Sequence, residues 1–176
     1  MPSTEIDLEL RALEPGDRVT GLSLGSASLT PLKIFLQRNA KAFHENGLGR
    51  TYGLFEQPGC KIRGYVTLVC GEIVAEDGVP TLGDLDYRYS SYPAVKIARL
   101  AIDQKFQGQK LGRKLVQFSL GVVKDSICPR VGCRFVVVDA KKESVGFYQK
   151  EGFTLLETRT NSERPEPIMF IDLKRV

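Results

Sequence analysis

Long apolar stretches are missing from this 176-residue sequence. None approaches the roughly 20 consecutive apolar residues that cross a bilayer, so no membrane-spanning helix is expected. Histidine is nearly absent, His44 being the only one. That excludes a histidine-rich metal site, and the lone His44 reads as a solvent-side or helix-capping residue rather than as part of a triad. The cysteines Cys60, Cys70, Cys128 and Cys133 form no Cys-x-x-Cys pair. No metal is therefore expected, and free thiols in a reducing compartment are the default, with a Cys128–Cys133 disulfide as the alternative. Met1-Pro2-Ser3-Thr4-Glu5 has no basic segment leading into an apolar one, so a cytoplasmic protein without a secretory signal is expected. No repeat, low-complexity tract or linker is visible, and a single domain over residues 1–176 follows.

What is present is an ordinary globular composition, 42% apolar and 26% charged, with an uneven distribution of charge. Residues 96–150 hold twelve Lys and Arg against four Asp and Glu, a local +8, which leaves −4 for the rest of a chain whose total is +4. A basic half of this kind suits a polyanionic partner.

Periodicity supplies the elements. Residues 5–13 alternate, with Ile6, Leu8 and Leu10 on one face, as a half-buried strand does, and Glu14-Pro15-Gly16-Asp17 ends it. Thr30-Pro31 reads as an N-cap and first helical residue, and Gly47 as the stop of a helix carrying Leu32, Phe35, Leu36 and Phe43. Residues 50–55 and 62–70 read as strands joined at Gln57-Pro58-Gly59, and residues 76–92 as a polar loop. Ala98 to Asp103 is a strand, Gln107 to Gly112 a tight polar turn, and the helix after it places Leu111, Leu115, Phe118 and Val122 on one face. Residues 134–139 are a buried strand and residues 142–151 a short helix stopped by Gly152. Strands at 153–158 and 168–173 follow, joined by residues 161–167. The sum is one α/β domain.

A strand, a glycine turn and a helix N-terminus in succession aim several N–H groups and the positive helix end at one spot, which suits a phosphate or pyrophosphate. An ordinary strand-to-helix turn is the alternative. The turn Gln107-Gly108-Gln109-Lys110-Leu111-Gly112 resembles motif A of the GNAT acetyltransferases, Gln/Arg-x-x-Gly-x-Gly/Ala. Further stretches narrow the likeness: Phe35-Leu36-x-Arg38, Arg50-Thr51-Tyr52, Gly64-Tyr65-Val66-x-Leu68, Ala98 to Asp103, Asp139-Ala140-Lys141, and Gly146-Phe147-Tyr148-x-x-x-Gly152-Phe153. Together they are similar to the GNAT toxins of type II toxin–antitoxin modules.

That resemblance implies a GNAT fold, a central mixed twisted sheet flanked by helices, and an acetyl-CoA-dependent N-acetyltransferase. The acceptor it implies is the α-amine of aminoacyl-tRNA, so that translation is blocked, with a ribbon-helix-helix antitoxin and a homodimer as partners. It assigns the acetyl and pantetheine end of the cofactor to the backbone of Leu100, Ala101 and Ile102. The pyrophosphate falls to Gln107, Gly108, Gln109, Lys110, Leu111, Gly112 and Arg113, and the proton for the departing thiolate to Tyr148. A phenol, with an ordinary pKa near 10, is a competent donor at neutral pH.

Two departures stand out. Lys110 occupies a motif-A glycine position and is expected to keep an ordinary helical backbone, its ammonium facing phosphate or solvent. Near Leu24-Gly25 the family often carries a cysteine. No carboxylate stands out as a general base, although Asp86, Asp103 or Asp139 could act through water. An α-amine near pKa 7.7 needs less help than a lysine near 10.4. Candidate tRNA phosphate contacts are Arg38, Lys41, Arg50, Lys96, Arg99, Lys141 and Lys142, with a structural ion pair as the alternative for Arg99. The competing readings are a GNAT enzyme for a small amine or a protein, and a GNAT fold that has lost catalysis and only binds.

Overall fold

The computed structural model describes residues 6–74 and 91–176. Its strands are β1 (Leu8–Ala12), β2 (Arg50–Glu56), β3 (Lys61–Val74), β4 (Ser91–Ile102), β5 (Phe135–Asp139), β6 (Thr154–Leu155) and β7 (Ile168–Asp172). Its α-helices are α1 (Thr30–Arg38), α2 (Ala40–Glu45), α3 (Leu111–Gly121), α4 (Val145–Lys150) and α5 (Arg159–Ser162). The strands hydrogen-bond in the order β1-β2-β3-β4-β5-β7-β6. The β4–β5 pair is parallel, and β1–β2, β2–β3, β5–β7 and β6–β7 are antiparallel, so the sheet is mixed. This is the α/β architecture expected from the sequence. Contacts divide the chain into two compact units, the first made of Met1–Val69 and Arg99–Leu115, the second of Cys70–Ala98 and Val116–Val176.

In the first unit α1 and α2 bury Phe35, Leu36 and Ala40 against Phe55, Ile62, Tyr65 and Ala101 of the strands. The Tyr65 ring stacks on Phe35 with centroids 6.5 Å apart, and its hydroxyl donates to the Leu32 carbonyl at 2.6 Å. Thr51 and Thr67 face each other across β2 and β3, fully buried, with their hydroxyls 2.9 Å apart.

The helix expected to run from a Thr30 cap to Gly47 differs at both ends of its first half. Thr30 itself is helical, and Ser26 instead caps a 3-10 turn at Ala27–Leu29. Asn39, at φ −121, then interrupts the helix. Gly47 does end it, at φ 69. Its N–H meets His44 O at 3.4 Å and the Leu48 N–H meets Phe43 O at 2.9 Å, the pair of bonds that a left-handed glycine at this place permits.

In the second unit Phe135 lies edge-on to Tyr92 and to Phe170, each 5.8 Å away, in a core with Ile73, Ala94, Val137 and Leu156. β4 begins at Ser91, so Ser91 and Tyr92 belong to a strand rather than to the expected loop; the remainder of that loop and Asp86 lie outside the described residues. The strand expected at 153–158 shrinks to Thr154–Leu155. Thr158 caps α5 instead, and the buried Asn161 side chain does the work of a ladder. Its Nδ2 donates to Leu156 O at 2.8 Å and Ile168 O at 3.0 Å, and its Oδ1 accepts from Ile168 N at 2.7 Å.

Of the four positions expected to face the core, Leu115 is fully buried while Leu111, Phe118 and Val122 are half-buried; Val116 and Ser119 of α3, and Val123 beyond it, are the other buried positions. Beyond α3 the chain continues as a π segment at Val122–Ile127.

Candidate active site

The first unit carries the strand end and the turn. β4 pairs with β5 over Ala94 to Ile97, so the stretch from Ala98 to Ile102 has no β5 partner in that register. Alternate N–H and C=O groups on that edge of Leu100, Ala101 and Ile102 are left for something other than a strand. On the other side β4 comes close to β3 at Gly64, where a Cβ would stand 2.6 Å from Ile102 Cδ1 and 3.0 Å from Ala101 O. The glycine of Gly64-Tyr65-Val66 is thus what admits this strand end.

After Ile102 the chain makes a 3-10 turn at Gln104–Phe106 and enters the polar turn, where Gly108 has φ 81 and Lys110 φ 60. Lys110 is therefore left-handed, against the ordinary helical angle expected for it. The geometry is the one a motif-A glycine would hold, and a lysine there costs roughly 1–2 kcal/mol. The Lys110 carbonyl accepts from Lys114 N at 3.0 Å and so opens α3. First-turn N–H groups such as those of Leu111 and Gly112 have no acceptor within a helix. Lys105, Lys110, Arg113 and Lys114 are all exposed, and the sequence has no acidic residue between Asp103 and Asp125. A pyrophosphate would meet N–H groups, a helix N-terminus and positive charge here, so the residues present suit such a group.

Tyr148 belongs to the second unit. Gly152, at φ 93, ends α4 in the left-handed conformation; its N–H bonds Gln149 O at 3.1 Å and the Phe153 N–H bonds Tyr148 O at 3.0 Å. Such an ending brings the residue after the glycine onto the last turn, and Phe153 packs edge-on to Tyr148 with centroids 5.3 Å apart. Phe147 lies on Tyr148 as well, at 5.0 Å. The sequence Tyr148-x-x-x-Gly152-Phe153 is thus a device that fixes the phenol ring. Tyr148 is buried. Burial pushes its hydroxyl above the ordinary tyrosine range, so it keeps its proton.

Of the candidate carboxylates, Asp103 is buried and accepts the N–H groups of Ser23 at 3.2 Å and Lys105 at 3.0 Å. Asp139 pairs with Lys96 at 2.5 Å and with Arg164 at 3.7 Å. Both are committed to neighbours within the chain.

The basic candidates separate by unit. Arg38, Lys41, Arg50 and Arg99 lie in the first, and Lys96, Lys141 and Lys142 in the second. Arg38, Arg50 and Lys142 are exposed. Arg50 donates to His44 O at 3.3 Å and Lys41 to Pro15 O at 2.6 Å. Arg99 lies over Phe35, its guanidinium carbon 3.6 Å from the ring centroid, a cation–π contact. Lys96 spends its charge on Asp139. Sequence reasoning missed the supporting role of Asp103; an Asp directly after a strand and before a short helical turn is the signal that would have found it.

A mixed sheet whose fourth strand opens an edge and runs into an anion-ready turn is the frame of an α/β acyltransferase. The model of the acetyltransferase (GNAT) domain matches residues 63–155, and the chain belongs to that family. Among the described residues no helix is long and apolar enough to cross a membrane, and no group of three His, Cys, Asp or Glu could hold a metal ion.

Solved structures resemble the chain almost end to end. AtaT complexed with acetyl-methionyl-tRNAfMet is 27% identical with 96% of each chain covered and a TM-score of 0.82. A tyrosine-to-phenylalanine mutant of KacT is 25% identical, again with 96% of each chain covered, at 0.81. AtaTR bound with acetyl-CoA is 26% identical over 96% of this chain and 95% of that chain, at 0.77. A mutant AtaT toxin bound to the C-terminus of the antitoxin AtaR gives 26%, the same coverage and 0.76.

Proposed function

We propose that this chain, as a single GNAT domain over residues 1–176, transfers acetyl from acetyl-CoA to the α-amine of aminoacyl-tRNA and so acts as a toxin against translation. The observation that carries the reading is the likeness, over 96% of both chains, to AtaT complexed with acetyl-methionyl-tRNAfMet. Acetyl-CoA supplies the activated thioester. The free β4 edge at Leu100, Ala101 and Ile102 would hold its acetyl and pantetheine end, and Gln107 to Arg113 its pyrophosphate. Tyr148 would hold a proton on its phenol oxygen and give it to the departing sulfur. Asp103 and Asp139 are engaged within the chain, and an α-amine with an ordinary pKa near 7.7 needs less base catalysis than a lysine. Arg38, Arg50 and Lys142, with Lys41, Arg99 and Lys141, would meet tRNA phosphates. An antitoxin of the ribbon-helix-helix kind, a homodimer and a cytoplasmic setting complete the reading.

The test is incubation of the purified chain with radiolabelled acetyl-CoA and total charged tRNA, beside the same pool deacylated. Label on the charged pool alone supports the proposal. Label on neither, with acetyl-CoA binding intact, turns it to small amines or proteins as acceptors. Absence of acetyl-CoA binding in calorimetry makes the fold a non-catalytic binder, the reading that the left-handed Lys110 would favour.

A further inference from the structure

The tip of the polar turn is weakly tied to itself. Gln107 N to Gln104 O, Gln109 N to Phe106 O and Gln107 Nε2 to Ile102 O are each 3.4 Å, at the long end for hydrogen bonds. Its base is held far better. Asp103 N donates to Arg63 O at 2.8 Å and Asp103 O accepts from Phe106 N at 2.8 Å, while Gln104 N reaches Ser23 O at 2.7 Å. The Asp103 carboxylate, nearly without solvent access, takes the Ser23 and Lys105 N–H groups and has Arg63 Nη1 at 4.0 Å. Arg63 is fixed in turn, with Nε on Glu56 at 2.6 Å and its guanidinium carbon 4.8 Å from the centre of the Phe106 ring. The loop after Ser23 approaches closely too, since a Cβ on Gly25 would lie 2.4 Å from Gln104 Oε1.

We propose that Asp103, braced by Arg63, is a positioning residue that sets where the N–H groups of the turn point, and through them the affinity for the pyrophosphate of acetyl-CoA. The inference rests on the cofactor reading above. A buried carboxylate is costly to keep, and a negative charge five residues before Gly108 repels an anion. Charge alone therefore makes its removal favourable to binding, whereas positioning makes it harmful. The two explanations differ in sign.

The experiment is calorimetric titration of the full chain with CoA, together with KM and kcat for acetyl-CoA, in wild type, Asp103→Asn and Arg63→Lys. Circular dichroism and thermal melting confirm that each is folded. Asp103→Asn is expected to weaken CoA binding by about tenfold or more, as small displacements of binding groups do. KM should rise in step while kcat stays within about twofold, the signature of lost uniform binding. Arg63→Lys keeps the positive charge but loses the fork and the ring contact, and should weaken binding in the same direction by less. It carries the test if Asp103→Asn fails to fold. Unchanged or tighter CoA binding in a folded variant overturns the proposal. A wild-type chain that binds no CoA overturns the cofactor reading and the proposal with it, and is told apart by failing before any substitution is made.

Discussion

Tyr148→Phe deletes one oxygen and keeps the ring that Phe147 and Phe153 pack against. Its melting temperature and CoA affinity should match wild type, while turnover falls by about 10²–10⁴-fold, the usual worth of a positioned proton donor. Single-turnover kinetics on charged tRNA would read this, and undiminished turnover would remove Tyr148 from the chemistry. Lys110 offers a second residue-scale test. At φ 60 a β-branched side chain is far worse than glycine, so Lys110→Val should be less stable than Lys110→Gly by roughly 1–2 kcal/mol in urea melts. Equal stabilities would mean that the turn is not left-handed in solution. The motif-A register calls for glycine at this place, but a lysine there argues for an ordinary angle. The motif was legible, but the backbone beneath a non-glycine residue was not.

Where α2 hands over to β2, an element boundary depends on a titratable ring. The Thr51 N–H donates to His44 Nδ1 at 3.1 Å, which requires that nitrogen to be unprotonated. Burial first, and then the neighbouring Arg50, hold His44 below its ordinary 6.5. Between the folded and unfolded pKa values the unfolded chain binds the extra proton, so stability rises with pH there. The contribution is complete above about pH 6.5 and is lost as pH falls through the lower folded value. Thermal midpoints across pH 5–8 should show this slope in wild type and lose it in His44→Asn.

Element ends of this kind were readable wherever one residue type is obligatory, as at Gly47 and Gly152, whose left-handed angles exclude most side chains. They were unreadable where a side chain replaces the ladder. Phe153, Leu155 and Leu156 suit a strand over 153–158, but the Asn161 side chain takes the carbonyls of Leu156 and Ile168 in place of a ladder. Likewise the base of the polar turn depends on Ser23, which lies 80 positions from Asp103.

For the whole molecule, the net +4 and the +8 between residues 96 and 150 predict that tRNA binding weakens linearly in log–log form as salt rises. A chain neutralising about five phosphates of a single strand would show a slope near −3.5, and less on losing each contact. Filter binding of charged tRNA at 50–300 mM KCl measures it, and a flat response would exclude the basic residues as a nucleic-acid surface. Lys96 should contribute little to that slope, since Asp139 already holds its charge, and Arg38→Ala or Lys142→Ala should reduce it.

The paired hydroxyls of Thr51 and Thr67 bear on a different matter, how the chain finds one sheet among many. A slip of β2 by a single residue against β3 would turn Leu54 and Phe55 to opposite faces and separate the two hydroxyls, leaving each buried and unanswered at about 1–3 kcal/mol apiece. Misaligned hairpins thus carry a penalty that the native one escapes. The pair acts as a proofreading mark, and its worth lies in the sheets that never form.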